Sequence, residues 1–453
     1  MQVIHAAQAL LPAGWARDVR VEVDAEGRIA AVTAGARPEG RRVDLLLPAP
    51  VNVHSHAFQR AMAGLAERKG PARDSFWTWR ELMYRFLGRL TPDQVQAIAA
   101  FVQMEMLEAG FGACVEFHYL HHQPDGTPYD DPAEMSGRIA AAAAQSGAGL
   151  TLLPVLYRFG GCDGRALAGG QLRFGNDPER FARLMEGAAQ AVAALPADAA
   201  LGTAPHSLRA VAPEDLALCQ VLAGEGPVHM HLAEQPAEVA EVQAALGARP
   251  VEWVLAHAEP SARWCFVHCT QMQPQETEGL ARTGAVAGLC PLTEASLGDG
   301  IFDGVRWTAA GGAFAVGSDS NIRISLAEEL RQLETSQRLR DHTRAALATE
   351  ARSTGRRLLE DAARGGAQAA GRQAGAIAPG RWADLLALDG AHPDLAGLSG
   401  DRALDTFVMA GGRGMVADVW SAGRHMVQDG RHLARDAIVS AYRRATGDLR
   451  AAP

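Results

Sequence analysis

Eight times between residues 48 and 365, a short apolar run of strand character is followed by a stretch of helical periodicity. The runs are "VNVHS", "GACVEFHY", "LTLLPVLY", "AALGTAPH", "PVHMHLAE", "WCFVHC", "AVAGLCP" and "FAVGSDS". Helix starts are legible between them. Thr91-Pro92-Asp93-Gln94 and Ser325-Leu326-Ala327-Glu328 read as capping boxes, and Asp177-Pro178-Glu179 and Ala212-Pro213-Glu214 place proline in a first turn. Strands and helices alternating over roughly 300 residues predict a closed (β/α)8 TIM barrel, an α/β fold. The first 47 residues ("VRVEVDAEGRIAAVTAG", "RRVDLLLP") and those after 372 ("GAIAPGRWADLLALDG", "VADVWSAGRHMVQDGRH") alternate instead, with Gly turns. The expectation is a barrel over 48–372 and a small β-sandwich domain formed by segments 1–47 and 373–453.

The strand ends carry chemistry. His54 and His56 lie two residues apart, so both point to one side of their strand while Ser55 points to the other. In a barrel that side can be the lumen at the C-terminal mouth, where active sites of this architecture lie. Neutral imidazoles suit a borderline metal ion, although an isolated His-x-His pair is a weak signal. Four further runs end in the same way: His231 with Glu234, His268, Asp319, and His206 with Arg209.

Composition narrows the ligand. The chain has 453 residues, 48% of them hydrophobic, and a net charge of −9 without any basic cluster. That balance speaks against nucleic acid or an anionic membrane as partner and for a small molecule. The opening "MQVIHAAQALL" has no cationic residue ahead of its apolar part, and no run of about 18 apolar residues occurs, so a cytoplasmic location is expected. The six cysteines (Cys114, Cys162, Cys219, Cys265, Cys269, Cys290) show no CxxC spacing and read as small packed hydrophobes rather than a disulfide framework. Lys69 is the only lysine. Schiff-base and Walker-type chemistry therefore lose their usual residue unless Lys69 itself serves, in a segment with no Gly-rich motif around it.

The order His-x-His on the first strand, His-x-x-Glu on the fifth, His on the sixth and Asp on the eighth resembles the amidohydrolase superfamily, in its mononuclear deaminase branch. The stretches "NVHSHAFQRAMAGLAE", "WTWRELMY", "APHSLRAV", "VHMHLAEQPAEV" and "LCPLTEASLGDGIFD" are similar to the formimidoylglutamate deiminase family of histidine degradation. The resemblance spans almost the whole chain. It departs at Ala49, where the superfamily usually has glycine before the first strand. It implies one divalent metal ion per chain, zinc by donor type, held by His54, His56, His231 and Asp319. The implied reaction is hydrolytic deimination of N-formimidoyl-L-glutamate to N-formyl-L-glutamate and ammonia by metal-activated water. Asp319 would act as base, His268 would hydrogen-bond the water or the tetrahedral centre, and Glu234 would carry a proton to the leaving nitrogen. Arg80 and Arg209 match the family's carboxylate-binding arginines, and Gln59, Tyr119 and His206 its hydrogen-bonding residues. Because binuclear members commonly bridge two metals with a fourth-strand lysine, a single lysine before the second strand excludes that arrangement. A homodimer is the expected assembly.

Plainer readings accompany these. His229 shares parity with His231 but sits one layer deeper, as a buried structural histidine or a support for the ligands. His118, His121 and His122 are expected to border the mouth without binding metal. Glu116 reads as a structurally paired buried carboxylate, and Cys265 and Cys269 as packing residues. The alternatives are a mononuclear deaminase of a purine, pyrimidine or triazine ring, whose pocket would call for aromatic walls and few arginines, and a catalytically silent barrel scaffold.

Overall fold

The computed structural model of the chain describes residues 1–67 and 83–451. Four strands come first: β1 (Gln2–Leu11), β2 (Gly14–Val23), β3 (Ile29–Thr33) and β4 (Arg41–Pro48). The barrel strands follow as β5 (Val51–Asn52), β6 (Ala113–His118), β7 (Gly149–Leu156), β8 (Ala200–Leu201), β9 (Ala204–Pro205), β10 (Val228–Leu232), β11 (Trp264–His268), β12 (Val286–Leu289) and β13 (Ala313–Val316). The chain ends with β14 (Leu385–Leu388), β15 (Val416–Ser421), β16 (Arg424–Gln428) and β17 (Arg431–His432), then a helix over Arg435–Ala451.

The barrel strands pair in parallel as two sheets, β5 to β9 and β10 to β13. Backbone bonds close both seams. Val53 N donates to Val316 O and Asp319 N to His54 O on one side (3.1 and 2.9 Å), and Thr203 N to Pro227 O and His229 N to Thr203 O on the other (3.1 Å each). The fourth strand is broken into β8 and β9 at Gly202, which has a physical reason. A Cβ at Gly202 would lie 2.3 Å from Pro227 O, so the close approach of the neighbouring strand requires glycine. The lumen and helix layer are packed with apolar side chains such as Phe117, Phe266, Trp264 and Met230, all buried.

Helix starts follow local chemistry. Thr91 Oγ1 accepts from Gln94 N (3.3 Å) while Gln94 Oε1 accepts from Thr91 N (3.1 Å), a reciprocal cap. Asp177 accepts from Arg180 N at 2.8 Å. At Ser325 only half of the expected box forms: its hydroxyl accepts from Glu328 N (3.4 Å), but the Glu328 carboxylate is taken by Arg323 (2.8 Å). No helix among the described residues is long and apolar enough to cross a membrane.

The terminal segments join in one eight-stranded sheet, ordered β17-β16-β15-β14-β4-β1-β2-β3. It closes over a core of its own that includes Ile4, Val19, Val21, Leu385 and Trp420. The sheet is bolted to the N-terminal ends of the barrel strands. Buried Arg372 donates to both Asp384 oxygens (2.6 and 2.9 Å) and to Asp198 Oδ2 (2.8 Å), just ahead of β8. Arg424 takes the other Asp198 oxygen at 2.7 Å, and Gly149 N, at the start of β7, donates to Ser421 Oγ at 2.8 Å. Two arginines sharing two carboxylates neutralise charge that could not be buried alone.

Candidate active site

Every residue of the candidate centre sits at or just past the C-terminal end of a barrel strand. His54 and His56 follow β5, His231 lies in β10 with Glu234 two residues beyond it, His268 closes β11, and Asp319 comes three residues after β13. Three of these ends turn through the left-handed region: φ is 51° at Ala233, 73° at His268 and 46° at Asp319. Such backbone costs about 1 to 3 kcal/mol per non-glycine residue and persists where its surroundings enforce it. Here Glu238 Oε2 accepts from Glu234 N (2.8 Å), Cys269 N donates to Leu232 O (3.0 Å), and Asp319 N donates to His54 O (2.9 Å).

Three ring nitrogens converge. His54 Nε2 lies 3.1 Å from His56 Nε2 and 3.1 Å from His231 Nε2. The other nitrogens fix how the rings face: His56 Nδ1 donates to Phe117 O (2.9 Å) and His231 Nδ1 to His206 O (3.1 Å), so both Nε2 atoms present lone pairs. Lone pairs gathered this closely repel unless a cation lies among them. Donors about 2.0–2.1 Å from a tetrahedral ion stand about 3.3 Å apart, so the residues present fit a metal ion. Asp319 Oδ1 adds a fourth donor, 3.4 Å from His56 Nε2 and 3.7 Å from His54 Nε2. Burial pushes the imidazoles towards the neutral, ligating form: His54 and His231 fall well below the ordinary histidine range, and His56 to about 3.

His268 differs in kind. Its Nε2 is 3.9 Å from both Glu234 Oε1 and Asp319 Oδ2, and its ring stacks on that of His231 at 5.5 Å. Burial disfavours its charge, but the charge of Glu234, the hydrogen bond that Nδ1 donates to Glu294 and the charge of Asp319 outweigh this and raise it to about 10. The site thus sets acceptor imidazoles beside one donor imidazole between carboxylates.

The adjoining pocket holds about 570 Å³ of empty space, the solvent at its open mouth included. Gln59, Tyr119, His206 and Arg209 all line it, as the sequence implied, together with Met83, Tyr84, Tyr157 and Phe174, which it did not single out. Gln59 Nε2 donates to the Tyr119 hydroxyl at 2.7 Å. Arg209 is buried; burial opposes its charge, and the nearby Glu238, Tyr157 and Glu234 more than restore it. Arg80 lies outside the described residues.

A hydrogen-bonded chain behind the histidines also escaped the sequence reading. Asn52 Nδ2 donates to Ser318 Oγ (2.7 Å), Ser318 Oγ to Asn321 Oδ1 (2.6 Å), and Asn321 Nδ2 to Ser55 Oγ (3.1 Å). Its members flank the recognised residues in "VNVHS" and "GSDSN", which was the available signal. Glu116 joins this layer by accepting from Ala57 N (2.7 Å), with no basic partner among the described residues, and burial raises its carboxyl to about 8. His229 is buried, with its Nε2 donating to Ala369 O at 2.7 Å. His118, His121 and His122 do not border the pocket as expected. All three are buried, and Arg173 O accepts from the backbone N of both His121 and His122 (3.0 Å each), which turns this segment inward.

Comparison with known proteins accords with this geometry. Residues 45–426 match the Amidohydrolase family, and residues 1–42 match the N-terminal domain of formimidoylglutamate deiminase HutF. A formimidoylglutamate deiminase of Pseudomonas aeruginosa is 48% identical over 99% of this chain and 100% of its own. A crystal structure of an amidohydrolase from Brucella melitensis superposes with a TM-score of 0.96 at 49% identity, covering both chains completely. An adenosine deaminase from Xanthomonas campestris with bound zinc shares the fold at a TM-score of 0.83 and 23% identity, over 100% of this chain and 99% of its own. The chain belongs to the amidohydrolase family and carries the N-terminal domain of its formimidoylglutamate deiminases.

Proposed function

We propose that the protein hydrolyses N-formimidoyl-L-glutamate to N-formyl-L-glutamate and ammonia, a step of histidine degradation. The observation that carries this reading is one pocket holding both a converging imidazole centre and the buried arginine Arg209. A dianionic amidine needs that pair: charge neutralisation at one end and hydrolytic groups at the other.

His54, His56, His231 and Asp319 would hold one ion per chain, and zinc is supported by the imidazole and carboxylate donors and by the zinc in the Xanthomonas relative. When bound, the ion supplies Lewis acidity that brings the ionisation of water towards about pH 7. The chain's own groups do the rest. Asp319 takes the proton of the water that adds to the amidine carbon, His268 donates a hydrogen bond to the oxygen becoming attached there, and Glu234 delivers a proton to the nitrogen that leaves as ammonia. Arg209 and Arg80 would each engage a carboxylate, and Gln59, Tyr119 and His206 the remaining polar atoms. The proposal extends to a barrel over 48–372 as the catalytic unit, flanked by 1–47 and 373–453, and to a cytoplasmic homodimer, the commonest closed assembly, which sedimentation would test.

A second reading is favoured by the aromatic side of the pocket, where Tyr119, Tyr157 and Phe174 could flank a ring amine. Ammonia release separates the two. Formimidoylglutamate should be turned over far faster than formimidoylglycine, adenine or cytosine; preference for a ring would overturn the proposed substrate while leaving a metal-dependent hydrolase.

A further inference from the structure

The seventh strand contributes nothing to the centre described above, yet the loop after it carries "LCPLTEASLGDG", a motif left without a role. Its short helix, Pro291–Leu297, lies against the site, and Glu294 on it is buried. Glu294 Oε1 is 3.3 Å from His268 Nδ1 and accepts from Cys290 N at 2.8 Å. The helix is itself fixed: Leu292 N donates to Glu329 Oε2 (3.0 Å), and the Thr293 and Ser320 hydroxyls lie 3.0 Å apart, one residue from Asp319.

We propose that Glu294 is the positioning residue for His268 in this reaction, an inference that rests on the functional reading above. A histidine in left-handed backbone at a strand end has no neighbouring turn to fix its ring, and the two nitrogens are not equivalent. An oxygen held at Nδ1 settles both questions. It holds one ring N–H at Nδ1, sets the ring plane parallel to that of His231, and directs the other ring nitrogen, Nε2, as the N–H donor facing Glu234 and Asp319. Cys290 N–H, donating to the same oxygen, ensures that an acceptor stays at that point. Glu294 touches no substrate in this arrangement and acts only through His268.

The test is a double-mutant cycle with Glu294→Met and His268→Asn, read as kcat and KM on formimidoylglutamate with metal content measured on each protein. Glu294→Met should lower kcat by about 10- to 100-fold with KM and metal retained, the usual effect of removing a supporting partner of a site histidine. In the His268→Asn background the same change should alter kcat by less than about twofold. Glu294→Gln presents an amide oxygen to Cys290 N–H and hence to Nδ1, so it should recover kcat to within about tenfold of wild type. An undiminished Glu294→Met, or an equal loss with and without His268, would overturn the assignment. If Glu294→Met does not fold, Glu294→Gln decides alone: a loss beyond about 100-fold, with metal retained, contradicts positioning by an acceptor oxygen. A wild type silent on formimidoylglutamate would instead overturn the substrate reading, so the two failures are distinguishable.

Discussion

His54 and Asp319 are joined twice, by the backbone bond from Asp319 N to His54 O (2.9 Å) and by the approach of His54 Nε2 to Asp319 Oδ1 (3.7 Å). The first contact is the seam between the first and eighth strands; the second lies within the proposed metal-ligand set. Closing the barrel and assembling the centre are therefore one event, and an ion held there also holds the seam.

Purified protein should accordingly contain about one divalent ion per chain. Chelation should abolish activity and lower the melting temperature, because a ligand present at 100 times its Kd stabilises the folded state by about 2.7 kcal/mol. His231→Ala should lose the ion. Elemental analysis finding two tightly held ions in active protein would contradict the single centre.

Glu234→Gln separates catalysis from metal binding. The residue lies 3.9 Å from His268 Nε2 and belongs to none of the candidate metal-ligand groups among the described residues. The variant should keep its ion and lose at least about 100-fold in kcat. Full activity in steady-state assays would remove Glu234 from the proton path.

Arg209→Ala addresses recognition. Loss of a buried carboxylate partner should cost about 2 to 5 kcal/mol in transition-state binding, hence at least about tenfold in kcat/KM, with metal content unchanged. The penalty should shrink for a substrate lacking the matching carboxylate. Arg80→Ala is expected to behave likewise, and normal turnover of the dianionic substrate by both variants would rule out the proposed recognition.

The joint between sheet and barrel predicts an acid sensitivity. Burial alone would raise the Asp198 carboxyl, but Arg424 and Arg372 overcome it and hold the group below its ordinary value. A carboxyl depressed on folding contributes stability that is present above its unfolded pKa, about 3.9, and lost as pH falls through the lower folded value. Asp198→Asn should lower stability at pH 7 by about 3 kcal/mol and flatten its pH dependence below about pH 4. Denaturant titrations at pH 7 and pH 3 would check this; equal wild-type and variant slopes would refute it.

What could be read from the sequence was whatever strand parity and local capping determine. His54 and His56 announce themselves because alternation forces them to one side, and Thr91 with Gln94 because their bonds span three residues. What stayed hidden depends on distant partners. Ser325 lost its reciprocal bond because Arg323 takes Glu328. His121 and His122 turn inward because their backbone amides bond Arg173, some 50 residues on. Gly202 looked like any strand residue until the neighbouring carbonyl of Pro227 closed in on it. Glu294 reached His268 across 26 residues, a distance no periodicity reports.

The Arg372–Asp198–Asp384 joint lies at the end of the barrel away from the reacting groups. That placement partitions the mutational freedom of the chain. Substitutions in the loops beyond the strand ends can reshape the pocket without loosening the attachment of the sheet, while changes near the joint spend stability without altering selectivity. A laboratory programme to redirect this catalyst towards other amidines would concentrate its libraries around Tyr157, Phe174 and Arg209 and hold the opposite rim constant.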